Sequence, residues 1–217
     1  MKKTITLALA CLTAYSFSYA QIKKDAVLAG GGISFYSSKD YGNPNPPETK
    51  HKSTFFNLSV GKAIKENTVV GIYGGYGQNK SEYNYNSNTK NTNTVSSSGA
   101  GIFFRKYKML GKGFYFLGEI DAGYTGYKED YATPNPVNNT TISSNGLNLV
   151  LIPGLSYQLF TKMQLEVLMP SFAGLQYATS KTTNSSGTVK GNAFQFSTGL
   201  NNGTLLSNLS LGFRFVL

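Results

Sequence analysis

The chain of 217 residues has no tryptophan, one histidine and one cysteine. The cysteine, Cys11, lies in a leader expected to be removed on export, so the mature chain is expected to carry none. That excludes disulfides, zinc-cysteine sites and thiol catalysis, even in an oxidising compartment. The acids Asp40, Glu48, Glu129 and Asp130 are scattered without calcium-loop spacing. Gly30-Gly31-Gly32 sits within an alternating segment rather than at a helix start, so it is no phosphate loop. No cofactor or metal is expected. Beyond the leader no stretch approaches the roughly 18 apolar residues that a membrane helix requires. If this protein resides in a membrane, strands must hold it there.

Residues 1–20 read as a signal peptide: Lys2 and Lys3, an apolar run, then Ser18-Tyr19-Ala20 as the small-residue cleavage site. A rival reading lipidates Cys11 after Ala8-Leu9-Ala10, but the apolar run before it is short and lacks the preferred leucine. The mature domain, 21–217, is expected to be a single unit. The formal charge is +10, and it falls by two when Lys2 and Lys3 leave. Basic chains invite a nucleic-acid reading, but export argues against it, and the lysines fall mostly in turns and loops. Anionic lipid headgroups and surface polysaccharide are the expected partners of that charge.

The most informative stretch runs from residue 98 to 128, two alternating segments joined by a turn at 108–113. Phe116, Gly118, Ile120, Ala122 and Tyr124 share one face of the second segment, while Tyr115, Leu117, Glu119, Asp121, Gly123 and Thr125 share the other. In the first, Ser98, Ala100, Ile102 and Phe104 oppose Gly99, Gly101, Phe103, Arg105 and Tyr107. A strand sends successive side chains to opposite faces, so each segment has a charge-free face and a charged one. The charged face also holds the glycines that a crowded lumen favours. This is the pattern of a membrane barrel with a polar interior.

The same rhythm recurs at 26–36, 53–61, 68–77, 146–157, 163–178 and 205–217. The expectation is therefore an all-β fold: an eight-stranded antiparallel up-and-down transmembrane β-barrel. Its connections alternate between four long extracellular loops (37–52, 78–93, 129–144 and the stretch from 179) and short periplasmic turns, placing both termini in the periplasm. Loop 78–93 reads as hydrated and mobile. Pro153 predicts a bulge. Segment 193–200 reads as a strand-like extension beyond the membrane; two further membrane strands are the alternative, disfavoured because the segment after Asn202 is too short for a full hairpin. Tyr36, Tyr76, Tyr107, Tyr124, Tyr157 and Tyr177 are expected to form interfacial girdles in place of tryptophan.

The hairpin Phe103-Phe104-Arg105-Lys106-Tyr107 to Phe116-Leu117-Gly118-Glu119 and the ending Leu211-Gly212-Phe213-Arg214-Phe215-Val216-Leu217 resemble the small outer-membrane β-barrels of Gram-negative bacteria, such as OmpX and the OmpA transmembrane domain. The resemblance spans the mature chain. It implies a cell outer membrane protein inserted by the barrel assembly machinery, which would read Phe213, Phe215 and Leu217, although Leu217 stands where a terminal Phe is usual. It implies contact with outer-membrane lipids and lipopolysaccharide, a monomer, and little about activity, because such barrels serve adhesion, anchoring and lipid chemistry alike.

Five inward charges, Arg105, Glu119, Asp121, Glu166 and Arg214, are expected at similar depth. With the turn centred near Gly111, Arg105 faces Leu117 and has Glu119 as its diagonal neighbour; Arg214 and Glu166 pair likewise. The expected outcome is a salt-bridged plug, because side chains can fill an eight-stranded lumen; a gate, proton path or narrow solute pore is the competing outcome. His51, beside Lys50, Lys52 and Ser53, raises a second class, a lipid-modifying enzyme (lipid A acyl hydrolase or transferase). Nucleophilic catalysis needs an oriented base and an oxyanion site, and no motif identifies either, so a solvated histidine and no enzyme are expected. Lys80 to Lys90, with Tyr83 and Tyr85, can be read as a surface-glycan or host-ligand site; a solvated loop is the plainer reading.

Overall fold

The computed structural model describes residues 22–41, 48–86, 89–135, 138–169, 171–198 and 210–217. The expected leader at 1–20, the Pro-rich tip of the first loop and the start of the last expected strand, 205–209, lie outside these. Ten strands follow in order: β1 (Val27–Tyr41), β2 (Glu48–Lys65), β3 (Thr68–Asn86), β4 (Thr89–Gly111), β5 (Phe114–Ala132), β6 (Thr140–Phe160), β7 (Met163–Leu168), β8 (Ala173–Asn184), β9 (Gly187–Thr198) and β10 (Ser210–Val216). All pairings are antiparallel, and no α-helix occurs among the described residues.

The pairings close on themselves. β1 to β6 pair in sequence order, β6 pairs with β7, β7 with β10, and β10 returns to β1. Leu217 and Val27 exchange both backbone hydrogen bonds, at 2.8 and 3.1 Å, and tie the two ends of the ring. β8 continues the line of β7 along β6, and β9 pairs with β8. β7 and β8 are thus the two halves of the single strand expected over 163–178, broken between them. Two residues of β6, Ile152 and Pro153, separate its pairing with β7 from its pairing with β8, whereas the sequence between Leu168 and Ala173 has four. The irregularity predicted at Pro153 therefore lies on the neighbouring strand, and β6 runs through the proline. Pro153 O accepts from Met169 N at 2.9 Å. A strand residue directs its N–H and C=O to the same side, so the missing proline donor faces the break, where the ladder is already interrupted. Phe172, expected inside, is exposed at this break.

The expected alternation of faces is present in three dimensions. Ile72, Ile102, Leu147 and Leu211 are 59–65 % exposed, whereas the inward Leu28, Val69 and Leu117 are fully buried. Inward glycines make room for large side chains: a Cβ on Gly61 would lie 2.8 Å from the Phe103 ring. The ring is filled at the end bearing the termini by Ile22, Leu28, Ala63, Val69, Phe103, Tyr107, Tyr115 and Leu117. Ile22 is held there by the β2–β3 turn: its N–H donates to Asn67 Oδ1 at 3.2 Å, and Asn67 N–H returns a bond to its carbonyl at 3.0 Å.

Four expected loops prove to be largely paired strand. β1 and β2 pair out to Tyr41↔Glu48, β3 and β4 to Asn86↔Thr89, and β8 and β9 turn over at 185–186. β5 and β6 extend likewise to Tyr131↔Thr140. The ladder is made by the backbone, so it continues where both side-chain faces turn polar; loss of alternation marks the end of the apolar zone, not of the strand. Segment 193–200, read as a strand-like extension, falls largely within β9, which is exposed on both faces. β4 alone has 23 residues, about 75 Å of chain, far more than the roughly 9–11 residues a membrane crossing needs.

Candidate functional site

The β4–β5 turn is set by Gly111, Lys112 and Gly113, all at positive φ (111°, 49° and 80°), with an irregular pairing between Met109 and Gly111. That irregularity shifts the register from the expected one: Arg105 stands directly opposite Glu119, and Leu117 faces Tyr107. Arg105 Nε donates to Glu119 Oε2. Its Nη1 reaches both oxygens of Glu166, at 3.0 and 2.8 Å. On the far side, Arg214 Nε lies 3.0 Å from each Glu166 oxygen. Register places Gly212 opposite Glu166 and Arg214 opposite Gln164, so this contact is diagonal across the β7–β10 pair.

Four of the five expected residues thus form one buried cluster spanning β4, β5, β7 and β10, each at most 5 % exposed. The fifth, Asp121, lies one inward step further along β5. Its Oδ1 is buried and has no hydrogen-bond donor. Each cluster carboxylate is met by at least one guanidinium, the condition under which buried charge is tolerated.

Three neighbours escaped the sequence reading. Tyr107, expected in an interfacial girdle, is 3 % exposed, and its hydroxyl donates to Glu166 Oε1 at 2.8 Å. Its inward parity was the available signal. Phe103 lies beneath both arginines, its ring centroid 5.4 Å from the Arg105 guanidinium and 5.9 Å from that of Arg214, and the ring face stabilises both cations. Ser59 accepts a long bond, 3.4 Å, from Arg214 Nη1. Side chains from five strands therefore meet in one layer, above the apolar floor that Ile22 closes.

His51 lies within β2 rather than in a loop. Its Nδ1 is 2.9 Å from Ser81 Oγ on β3, and its ring meets Tyr83 edge-on at 6.2 Å. Ser81, not Ser53, is thus the hydroxyl beside the histidine. Next to it Glu82 accepts from both Lys80 (2.8 Å) and Lys90 (2.9 Å). Those two lysines, for which a solvated loop is the plainer sequence reading and a ligand site the alternative, are held by an acid of their own hairpin. The Lys80 and Lys90 hydrogen bonds hold the Glu82 carboxyl down at about 2.

Among the described residues no group of three or more histidine, cysteine, aspartate or glutamate side chains could hold a metal. No family model and no curated protein matches the chain. Solved structures similar to it include a major outer membrane protein from Thermus thermophilus, with 14 % identity, TM-score 0.46, and coverage of 88 % of this chain and 98 % of that one. The ferric yersiniabactin uptake receptor FyuA of Yersinia pestis matches at 10 % identity and TM-score 0.37, over 87 % of this chain and 32 % of the receptor. The translocator domain of the autotransporter NalP of Neisseria meningitidis matches at 11 % identity and TM-score 0.28, over 99 % and 94 % of the two chains. At these identities and TM-scores the likeness carries no argument about this chain.

Proposed function

We propose that this chain is an integral outer-membrane β-barrel of eight strands, OmpX- and OmpA-like in plan, whose lumen is plugged at the periplasmic end. Its role is structural or surface-binding rather than catalytic. The observation that carries this reading is the pairing of a belt of exposed Ile, Leu, Phe and Tyr with a buried Arg105–Glu119–Glu166–Arg214 layer inside the same ring. In water such a belt would be an aggregation surface; in hydrocarbon it is the matched solvent, and the charges belong inside. Both termini then face the periplasm. The paired hairpin extensions stand outside the cell, where polar, lysine-bearing strands can meet lipopolysaccharide, a surface glycan or a host ligand. Phe213, Phe215 and Leu217 would present the alternating signal to the assembly machinery.

Gel migration of isolated outer membranes with and without boiling tests the barrel: the unboiled protein runs at a different apparent mass, and a single unchanged species would sink the reading. The His51–Ser81 contact favours one second reading, a lipid-modifying hydrolase or transferase with His51 as base. Loss of a lipid A deacylation or acyl transfer on His51→Ala and on Ser81→Ala would establish it. The structural reading expects wild type and both variants to be equally inert.

A further inference from the structure

The β8–β9 hairpin carries cations and no anion. No aspartate or glutamate follows Glu166 in the sequence, so Lys181 and Lys190 have no acid within their own strands. The two lysines stand directly opposite each other in the ladder, and both are exposed. Like charges that face one another across a strand pair destabilise it. The other lysine-bearing extensions bring their own counterions: Lys80 and Lys90 lie on Glu82, and Lys128 lies on Asp130. Among the described residues neither Lys181 nor Lys190 is in an ion pair. The hairpin therefore presents a concentrated positive charge whose partner must come from outside the strands that carry it.

Register orders the outer face of this region in rows. Leu149, Leu175 and Phe196 face one another across β6, β8 and β9, and the next row holds Leu147, Tyr177 and Phe194. These six side chains are 39–71 % exposed and belong to the apolar belt. A neutral polar row follows, with Asn145, Thr179 and Asn192 in line. Beyond it come Ser143, Lys181 and Lys190, joined from β5 by Lys128. Tyr177 and Lys181 are four residues apart on one strand, about 13 Å. Along the outer wall, apolar rows thus give way to hydroxyls and amides and then to cations, the succession that a lipid with a sugar head and an anionic substituent would match.

We propose that the outer wall of the β8–β9 hairpin binds a phosphorylated glycolipid of the outer leaflet. Its phosphate sits between Lys181 and Lys190, its sugar meets the neutral row at Asn192, and its acyl chains run along Leu175, Tyr177, Phe194 and Phe196. A phosphomonoester carries about −1.5 to −2 charges at pH 7, which matches two lysines, and its oxygens accept charge-assisted hydrogen bonds from both. Binding converts the repulsion between the facing lysines into a shared attraction. This deepens the reading of the extensions as lipid-contacting strands and rests on the membrane-barrel reading, from which its test is separable.

The protein is refolded in maltoside micelles that contain EDTA and equal amounts of diphosphorylated lipid A and the same lipid A stripped of its phosphates, and retained lipid is counted by native mass spectrometry. Wild type should retain the phosphorylated form roughly tenfold over the stripped one. The double variant Lys181→Gln/Lys190→Gln, which neutralises two exposed side chains, should erase most of that preference. Lys106→Gln/Lys108→Gln removes the same charge from exposed positions at the opposite end of the ring and should keep the wild-type ratio. Equal retention of the two lipids by wild type overturns the proposal, as does an undiminished preference in Lys181→Gln/Lys190→Gln or an equal loss in Lys106→Gln/Lys108→Gln. Boiled and unboiled migration of each sample reports the barrel independently: a folded barrel without the preference sinks this proposal alone, and the wild-type comparison stands even if a variant does not fold.

Discussion

Glu166 is the residue on which the interior turns, because its two oxygens answer Arg105, Arg214 and Tyr107 at 2.8–3.0 Å. Removing one partner of a buried ion pair leaves uncompensated charge, which costs about 3–5 kcal/mol. Glu166→Ala leaves Arg214 without a carboxylate and Arg105 with Glu119 alone, and should lower the stability of the micelle-folded protein by that amount in a urea titration. Tyr107→Phe removes one hydrogen bond to a charged acceptor and should cost about 1.5–3 kcal/mol in the same titration. Much of this was legible in the sequence, since parity alone put Arg105, Glu119, Glu166 and Arg214 in the lumen. The direct facing of Arg105 and Glu119 was not, because it depends on a one-residue irregularity at Met109/Gly111 that no side-chain pattern encodes. Tyr107 was ambiguous for a chemical reason: a tyrosine near a strand end suits both a girdle and a buried carboxylate.

At the scale of elements, the β3–β4 hairpin outside the apolar zone is braced by Glu82 between Lys80 and Lys90. A carboxyl held below its ordinary 4.5, here at about 2, stabilises the fold above the unfolded value, and that stabilisation is lost as the pH falls through the folded one. Asp130 on β5 is lowered likewise by hydrogen bonds from Lys128 and Thr141. Amide exchange at 78–96 should therefore accelerate, relative to strand centres, between pH 4.5 and pH 2. Raising the salt concentration at pH 7 should weaken the same exposed pairs only slightly. Equal acceleration at the strand centres would remove the local explanation. Polar composition hid these strands, because hydrated side chains on both faces look like a loop although the backbone remains paired. The β7–β8 break was hidden for another reason: its two extra residues preserve the odd-even parity of Leu165, Val167, Leu175 and Tyr177.

For the whole molecule, the environment of the belt decides what an exposed apolar residue means. Ile102 is 59 % exposed, and on a water-soluble protein its replacement by a charge would change stability by no more than about 0.5 kcal/mol. Facing hydrocarbon near mid-depth, Ile102→Arg should instead cost about 2–4 kcal/mol, measured by the extent of folding into vesicles across a urea series. The ring of pairings was foreseeable from eight alternating segments, but closure itself comes from the β1–β10 seam, where backbone geometry joins the two ends of the chain. The central claim is that this ring crosses a membrane with its lumen closed by Ile22 and the Glu166 layer. Single-channel recording in a planar bilayer, with protease protection of the spanning segments confirming insertion, tests it most directly. Wild type should insert and remain electrically silent; a steady, large, ohmic conductance from the inserted wild-type protein would contradict the plugged barrel.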